Sequence, residues 1–175
     1  MIAAARTTLC LALAMTVAGC AGYKVGNASL YPPDIQTVYV PMFDSTSFRP
    51  ALGERLTEAV CKEIELKTPY KVVHDTNADS VLTGRILNDT KGALTMAQTG
   101  EARYLQYNMR VEVSWLDRKG ALVQQTNGVG VPSTLATIDS QTQFAPETGQ
   151  SVSTAQMQDI QKLAEQIVSL MESPW

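Results

Sequence analysis

The chain has 175 residues, 45% of them apolar, with 14 Lys and Arg against 17 Asp and Glu for a formal charge of −3. That length and apolar content suit one hydrophobic core and not two, and the acidic balance leaves no Lys/Arg stripe for the phosphate contacts that dominate nucleic-acid affinity, so no nucleic-acid partner is expected. A disulfide framework is excluded as well, because two of the three cysteines lie in the first 20 residues.

Arg6 precedes an apolar run from Leu9 to Val17. A membrane-spanning helix needs about 20 such residues, so the run reads as a secretory signal. Ordinary signals end in an A-x-A-like site, whereas Val17-Ala18-Gly19-Cys20 follows the bacterial lipobox. There the cysteine thiol forms a thioether to diacylglycerol and becomes the first mature residue, and small residues before it admit the peptidase. Residues 1–19 are then the signal peptide, and Cys20 is the lipidation site. Its acyl chains, each methylene contributing about 0.8 kcal/mol, make a stable membrane anchor. Ala21 stands where a retained inner-membrane lipoprotein often carries Asp, which points to the periplasmic face of the outer membrane. Cys10 leaves with the signal, and Cys61, inside a helical pattern, is a structural thiol.

Residues 20–34 contain Gly22, Gly26, Asn27 and Pro32-Pro33 and read as an extended tether. Residues 35–175 form the domain. Its first strand is Ile35 to Val40, stopped by Pro41. Asp44-Ser45-Thr46-Ser47 offers helix N-caps, and Leu52, Leu56, Val60 and Ile64 then recur at helical spacing until Thr68-Pro69. Tyr70–Val73 is a short extended piece, and Asp75–Asp79 a polar turn. Val81–Asn88 is a strand, and Asn88 to Gly92 marks a turn. Leu105, Tyr107, Met109, Val111, Val113 and Trp115 alternate with polar residues, giving a strand with one buried and one wet face. Asp117–Gly120 turns the chain, Ala121–Val131 returns as its partner, and 132–150 reads as a long loop. A terminal helix from about Val152 turns Ile160, Leu163, Ile167 and Leu170 inward and its Gln, Asp and Lys residues outward.

The element order is β-α-β-β-β-α. A roughly four-stranded mixed sheet and two amphipathic helices can bury their apolar faces only by laying both helices on one face, a two-layer α/β sandwich of the α+β kind. Chemistry-bearing groups are sparse. His74 is the single histidine and sits in a polar turn, no Cys/His cluster has metal-ligand spacing, and pairs such as Asp75 with Asp79 or Glu63 with Glu65 read as surface charge. Gly128-Val129-Gly130 is followed by no helix and makes no dinucleotide loop. No catalytic residue, metal or cofactor is expected. Arg85, Lys91 and Arg110, with Arg103 nearby, are the cations that a sheet face could gather for phosphate, although scattered solubilising residues look the same.

Several segments together resemble the lipopolysaccharide-assembly lipoprotein family, LptE. They are Gly19-Cys20-Ala21-Gly22-Tyr23, Gln36 to Phe43, Leu56-Thr57-Glu58-Ala59 with Ile64, Thr68-Pro69-Tyr70, and Ala78 to Gly84. The resemblance implies a four-stranded sheet carrying two helices. It also implies a partner, the outer-membrane β-barrel translocon LptD, whose assembly the family assists as a plug, and contact with lipopolysaccharide on its way to the cell surface. Cys20 carries over directly, and Arg85, Lys91 and Arg110 are the lipopolysaccharide-contact candidates. Strand openings like Val38 to Asp44 also occur in outer-membrane lipoproteins that activate or scaffold a peptidoglycan synthase or a secretion assembly, the competing reading.

Overall fold

The computed structural model describes residues 30–47, 49, 51–96, 102–123 and 135–172. Strand β1 (Thr37–Tyr39) leads through β2 (Asp44–Ser45) to helix α1 (Ala51–Lys67), then to β3 (Lys71–Val73), β4 (Ser80–Met96), β5 (Ala102–Asp117) and β6 (Ala136–Phe144). A short 3-10 turn (Pro146–Thr148) precedes helix α2 (Val152–Ser169). The sheet order is β3-β1-β4-β5-β6, with β2 also paired to β4. β3, β1 and β2 run parallel to their neighbours, while β4, β5 and β6 form an antiparallel meander. The two-layer α+β arrangement therefore holds, with six strands where about four were expected.

The helical spacing of Leu52, Leu56, Val60 and Ile64 does what it predicts, since all four are buried. Each contributes about 1.5–3 kcal/mol relative to exposure. They meet Ile160, Leu163 and Ile167 of α2 and the inner sheet face of Val38, Leu82, Ile86, Met109 and Val111 in one core. Helix α1 stops as expected before Pro69, and the Thr68 hydroxyl donates to the Ile64 carbonyl at 2.7 Å. Tyr70 meets Tyr31 edge to face and Trp115 at a tilt, with ring centroids 5.5 and 5.9 Å apart.

Four expectations need correction. Asp44-Ser45, read as helix caps, is strand β2, and the Thr46 amide and hydroxyl both bond the Ile86 carbonyl. The turn expected at Asn88 to Gly92 is continuous strand. There β5 pairs β4 on to Met96 with register shifts at Ile86/Asn88 and near Ala93–Met96, so ladder hydrogen bonds override local turn preference. The return strand begins where expected, with the Asp117 amide on the Ala121 carbonyl at 2.8 Å and the Val123 amide on Trp115 at 3.1 Å. Its continuation lies outside the described residues, and the stretch read as loop supplies the third meander strand, β6, beside Leu105–Val113. Finally, at the end of α2 Leu170, expected inward, is exposed, whereas Asp159 and Gln156 of that helix, expected outward, are buried. The same fact explains the missed strand. Ser140 and Thr142 make the inner face of β6 polar, which hides it from an apolar pattern, and both donate to the Asp159 carboxyl.

Candidate functional site

The three candidate cations lie on β4 and β5, and the sheet does not bring them together. Arg85 stands opposite Glu112, and Asn88 opposite Arg110, on the face away from the helices. Lys91 stands opposite Tyr107, whose side chain is fully buried on the helix side, so Lys91 leaves from that helix-side face and not from the face of Arg85 and Arg110. The cross-strand register alone decides this, because residues in opposite pairs share a face.

Arg110 is held by Asp139 of β6 through two bonds, Nε to Oδ1 at 2.6 Å and Nη2 to Oδ2 at 3.3 Å. Its charge is therefore already matched by a bidentate carboxylate. Arg85 lies 3.7 Å from Asp44 and walls a cleft of about 250 Å³ with Thr83, Glu112 and Ser114. Asp44 and Glu112 flank it, so an anion entering there would compete with two carboxylates. Around these pairs the uncovered face is polar, with Gln106 bonded to Asn108 and Gln141.

Lys91 belongs to a different environment. Above Phe144, which pairs with Leu105, β4 and β5 continue as a two-stranded ribbon. The ribbon carries exposed Arg103 and the exposed apolar side chains Leu94 (46%) and Tyr104 (52%), and exposed Lys91 lies just before it, where β6 still pairs with β5. These exposed groups lie in and beside residues 93–104, to which the sequence assigns no element. No local signal marks them, because the ribbon exists through pairing with β5.

At the opposite end Arg118 clasps the connection into β4. Its Nη2 bonds the Asn77 carbonyl at 2.6 Å and Asp79 Oδ1 at 3.2 Å, and its Nε bonds the Ala78 carbonyl. Asp79 also accepts from the Thr37 hydroxyl and the Gln36 and Thr37 amides, and these bonds, with the Arg118 charge, hold its carboxyl below the usual carboxylate range. A cavity of about 480 Å³ beside this clasp is lined by Asp34, Asp79, Asp117, Arg118 and Lys119 among others. Its charges are mixed, and its best-placed groups are committed to holding β1 and the hairpin.

His74 is exposed in its loop. Cys61 is half-buried on α1, and burial followed by the Glu65 charge pushes its thiol up, opposite to what a nucleophile needs. Glu63, expected on the surface, is buried, paired with Lys67 and bonded by Gln161 of α2. Among the described residues no group of three His, Cys, Asp or Glu is placed to hold a metal. Cys20 lies outside the described residues.

Against this geometry, a family model for lipopolysaccharide assembly, LptE, matches residues 35–171. The chain belongs to the LptE family. No curated protein is similar to this LptE-family chain at a significant level. Its fold is shared with a hypothetical protein of Chlamydia trachomatis, at 11% identity and a TM-score of 0.55 over 77% of this chain and 94% of that one. A protein of Xanthomonas campestris aligns at 11% identity and a TM-score of 0.50 over 78% and 85% of the two chains. The uncharacterized lipoprotein B of Nitrosomonas europaea aligns at 16% identity and a TM-score of 0.49, covering 83% and 90%.

Proposed function

We propose that this LptE-family chain is a lipid-anchored protein of the outer membrane, on its periplasmic face, that plugs the LptD β-barrel, assists its assembly and takes part in delivering lipopolysaccharide to the cell surface. The observation that carries the reading is the family match across residues 35–171, nearly the whole domain. In this reading residues 1–19 are removed, Cys20 carries the lipid, residues 20–34 are the tether and 35–175 the plug. The protein makes and breaks no bond.

Two features support it. The sheet face free of helices is polar and charge-matched, through Arg110 with Asp139 and the Gln106–Gln141 amides, which suits the polar interior wall of a large barrel. The β4–β5 ribbon and the strand leading into it expose both cations, Lys91 and Arg103, and apolar groups, Leu94 and Tyr104, which suits a molecule bearing phosphates and acyl chains. Lys91 is therefore the first lipopolysaccharide contact to test. Arg85 and Arg110 are secondary, since phosphate would have to displace Asp44 and Asp139.

The test is affinity purification of the Cys20-anchored protein from detergent-solubilised outer membrane, with mass spectrometry of what stays bound. A large β-barrel at near-equal stoichiometry is expected, and Lys91→Glu should keep that barrel while lowering co-purified lipopolysaccharide. Recovery of a peptidoglycan synthase or a secretion component without a barrel would overturn the plug reading. Unchanged lipopolysaccharide on Lys91→Glu would remove that residue from the contact.

A further inference from the structure

The inner seam between edge strand β6 and helix α2 is closed by polar groups. Asp159 is 0% exposed, and its Oδ1 accepts the hydroxyls of Ser140, at 3.0 Å, and Thr142. Lys162, one turn further on, does not pair with the carboxylate. Its Nζ donates to the Thr142 hydroxyl at 2.9 Å and to the Gln141 carbonyl at 3.0 Å. The other carboxyl oxygen, Oδ2, is buried with no hydrogen-bond partner. An ionised carboxylate bonded on one oxygen only, with its nearest cation Lys162 reaching it only through the Thr142 hydroxyl, is costly in a low-dielectric interior, and the neutral acid costs less.

We propose that Asp159 is a proton-controlled latch: with its carboxyl protonated the edge strand β6 is closed on α2, and with the carboxyl ionised that strand is loosened. The groups facing it leave the control to Asp159 itself. β6 presents only the Ser140 and Thr142 hydroxyls. β5 presents Tyr107, whose hydroxyl is engaged by Gln156 and Asp89, and α1 presents Glu63, engaged by Lys67 and Gln161. Lys162 on the same helix is the remaining charge. Burial pushes the Asp159 carboxyl up, against the Thr142 and Ser140 bonds and the Lys162 charge that pull it down. β6 is the outermost strand on its side of the sheet among the described residues, so it can part from α2 without breaking the interior of the meander.

The consequence reaches the other sheet face. Asp139, next to Ser140 in β6, holds Arg110 of β5. A strand that loosens carries Asp139 with it and exposes the Arg110 guanidinium. The latch thus couples a buried proton to a surface cation through alternate residues of one strand. This holds whether or not Arg110 meets lipopolysaccharide.

The sign follows from linkage. With the carboxyl raised in the folded state, the folded form binds more protons between the ordinary aspartate value of about 3.9 and the raised one, so the seam weakens as pH climbs through that window. The test is hydrogen exchange with mass spectrometry on the full chain in detergent, from pH about 4 to about 8, corrected for intrinsic exchange. Peptides covering 136–144 should lose protection by about tenfold for each unit by which the carboxyl is raised, together with the β5 amides that pair with β6, while β4 peptides stay unchanged. Asp159→Asn should abolish that pH dependence. A flat wild-type profile, or the same profile in Asp159→Asn, would overturn the latch. Should the variant not fold, direct carbon-13 titration of the wild-type Asp159 carboxyl decides. A midpoint in the ordinary aspartate range overturns the proposal, and a raised one supports it.

Discussion

Gly53, on the buried face of α1, shows how one residue's environment can reverse a local rule. Alanine is a better helix former than glycine by about 1 kcal/mol, so helix propensity alone makes Gly53→Ala stabilising. A Cβ at that position would stand 2.2 Å from the Phe43 carbonyl oxygen, and backbone cannot swing aside. Gly84 faces the ring of the same Phe43, with a Cβ 2.5 Å from its nearest ring atom. Phe43 is thus wedged between a helix and a strand that must both lack side chains there. Overpacking costs about 1–3 kcal/mol, so Gly53→Ala is expected to lower the urea midpoint. A raised midpoint would show that α1 can move away from Phe43. From the sequence Gly84 marks only a weak point in a strand, because the ring that occupies its space comes from a segment 41 residues earlier.

Among the elements, β1 shows how a three-residue strand is held. Its parallel partners contribute few ladder bonds, and Asp79 supplements them by accepting the amides of Gln36 and Thr37 and the Thr37 hydroxyl. The Thr37 bonds above all, with Arg118, keep this carboxylate below its usual range. A depressed folded-state value contributes stability that is present above the unfolded value of about 3.9 and is lost as pH falls toward the folded one. Asp79→Ala is therefore expected to be less stable than the wild type at neutral pH and to lose less on acidification, as followed by urea unfolding from pH about 7 to about 2. Parallel curves for the two proteins would show that Asp79 does not supply the acid sensitivity. Strand β6 teaches the complementary lesson. Its inner face is Ile138, Ser140, Thr142 and Phe144, too polar to read as a buried strand until Asp159 and Lys162 are seen to satisfy it. The second half of β4 fails to read for a related reason, since Asn88 to Gly92 has turn chemistry and is strand only because β5 pairs with it.

For the molecule as a whole, the anchor and the domain are separable claims. Metabolic labelling with palmitate should mark the wild-type chain and leave Cys20→Ala unlabelled. Label persisting in the variant would remove Cys20 as the lipidation site, without touching the family membership, which rests on residues 35–171. Both helices and the alternating strand of β5 were legible in the sequence, because each depends on spacing within a few turns or residue pairs. The burial of Leu52, Leu56, Val60 and Ile64, and of Tyr107, Met109, Val111 and Val113, follows that spacing directly. Only the tertiary structure decided that Lys91 leaves the sheet on the face opposite Arg85 and Arg110, that Asp139 occupies Arg110, and that Asp159 is buried. The physical reason is range. Periodicity records which side of its own element a residue takes, whereas the face of a cation, the partner of a charge and the tolerance of a buried carboxyl are set by strand register and by hydrogen bonds from residues distant in the chain.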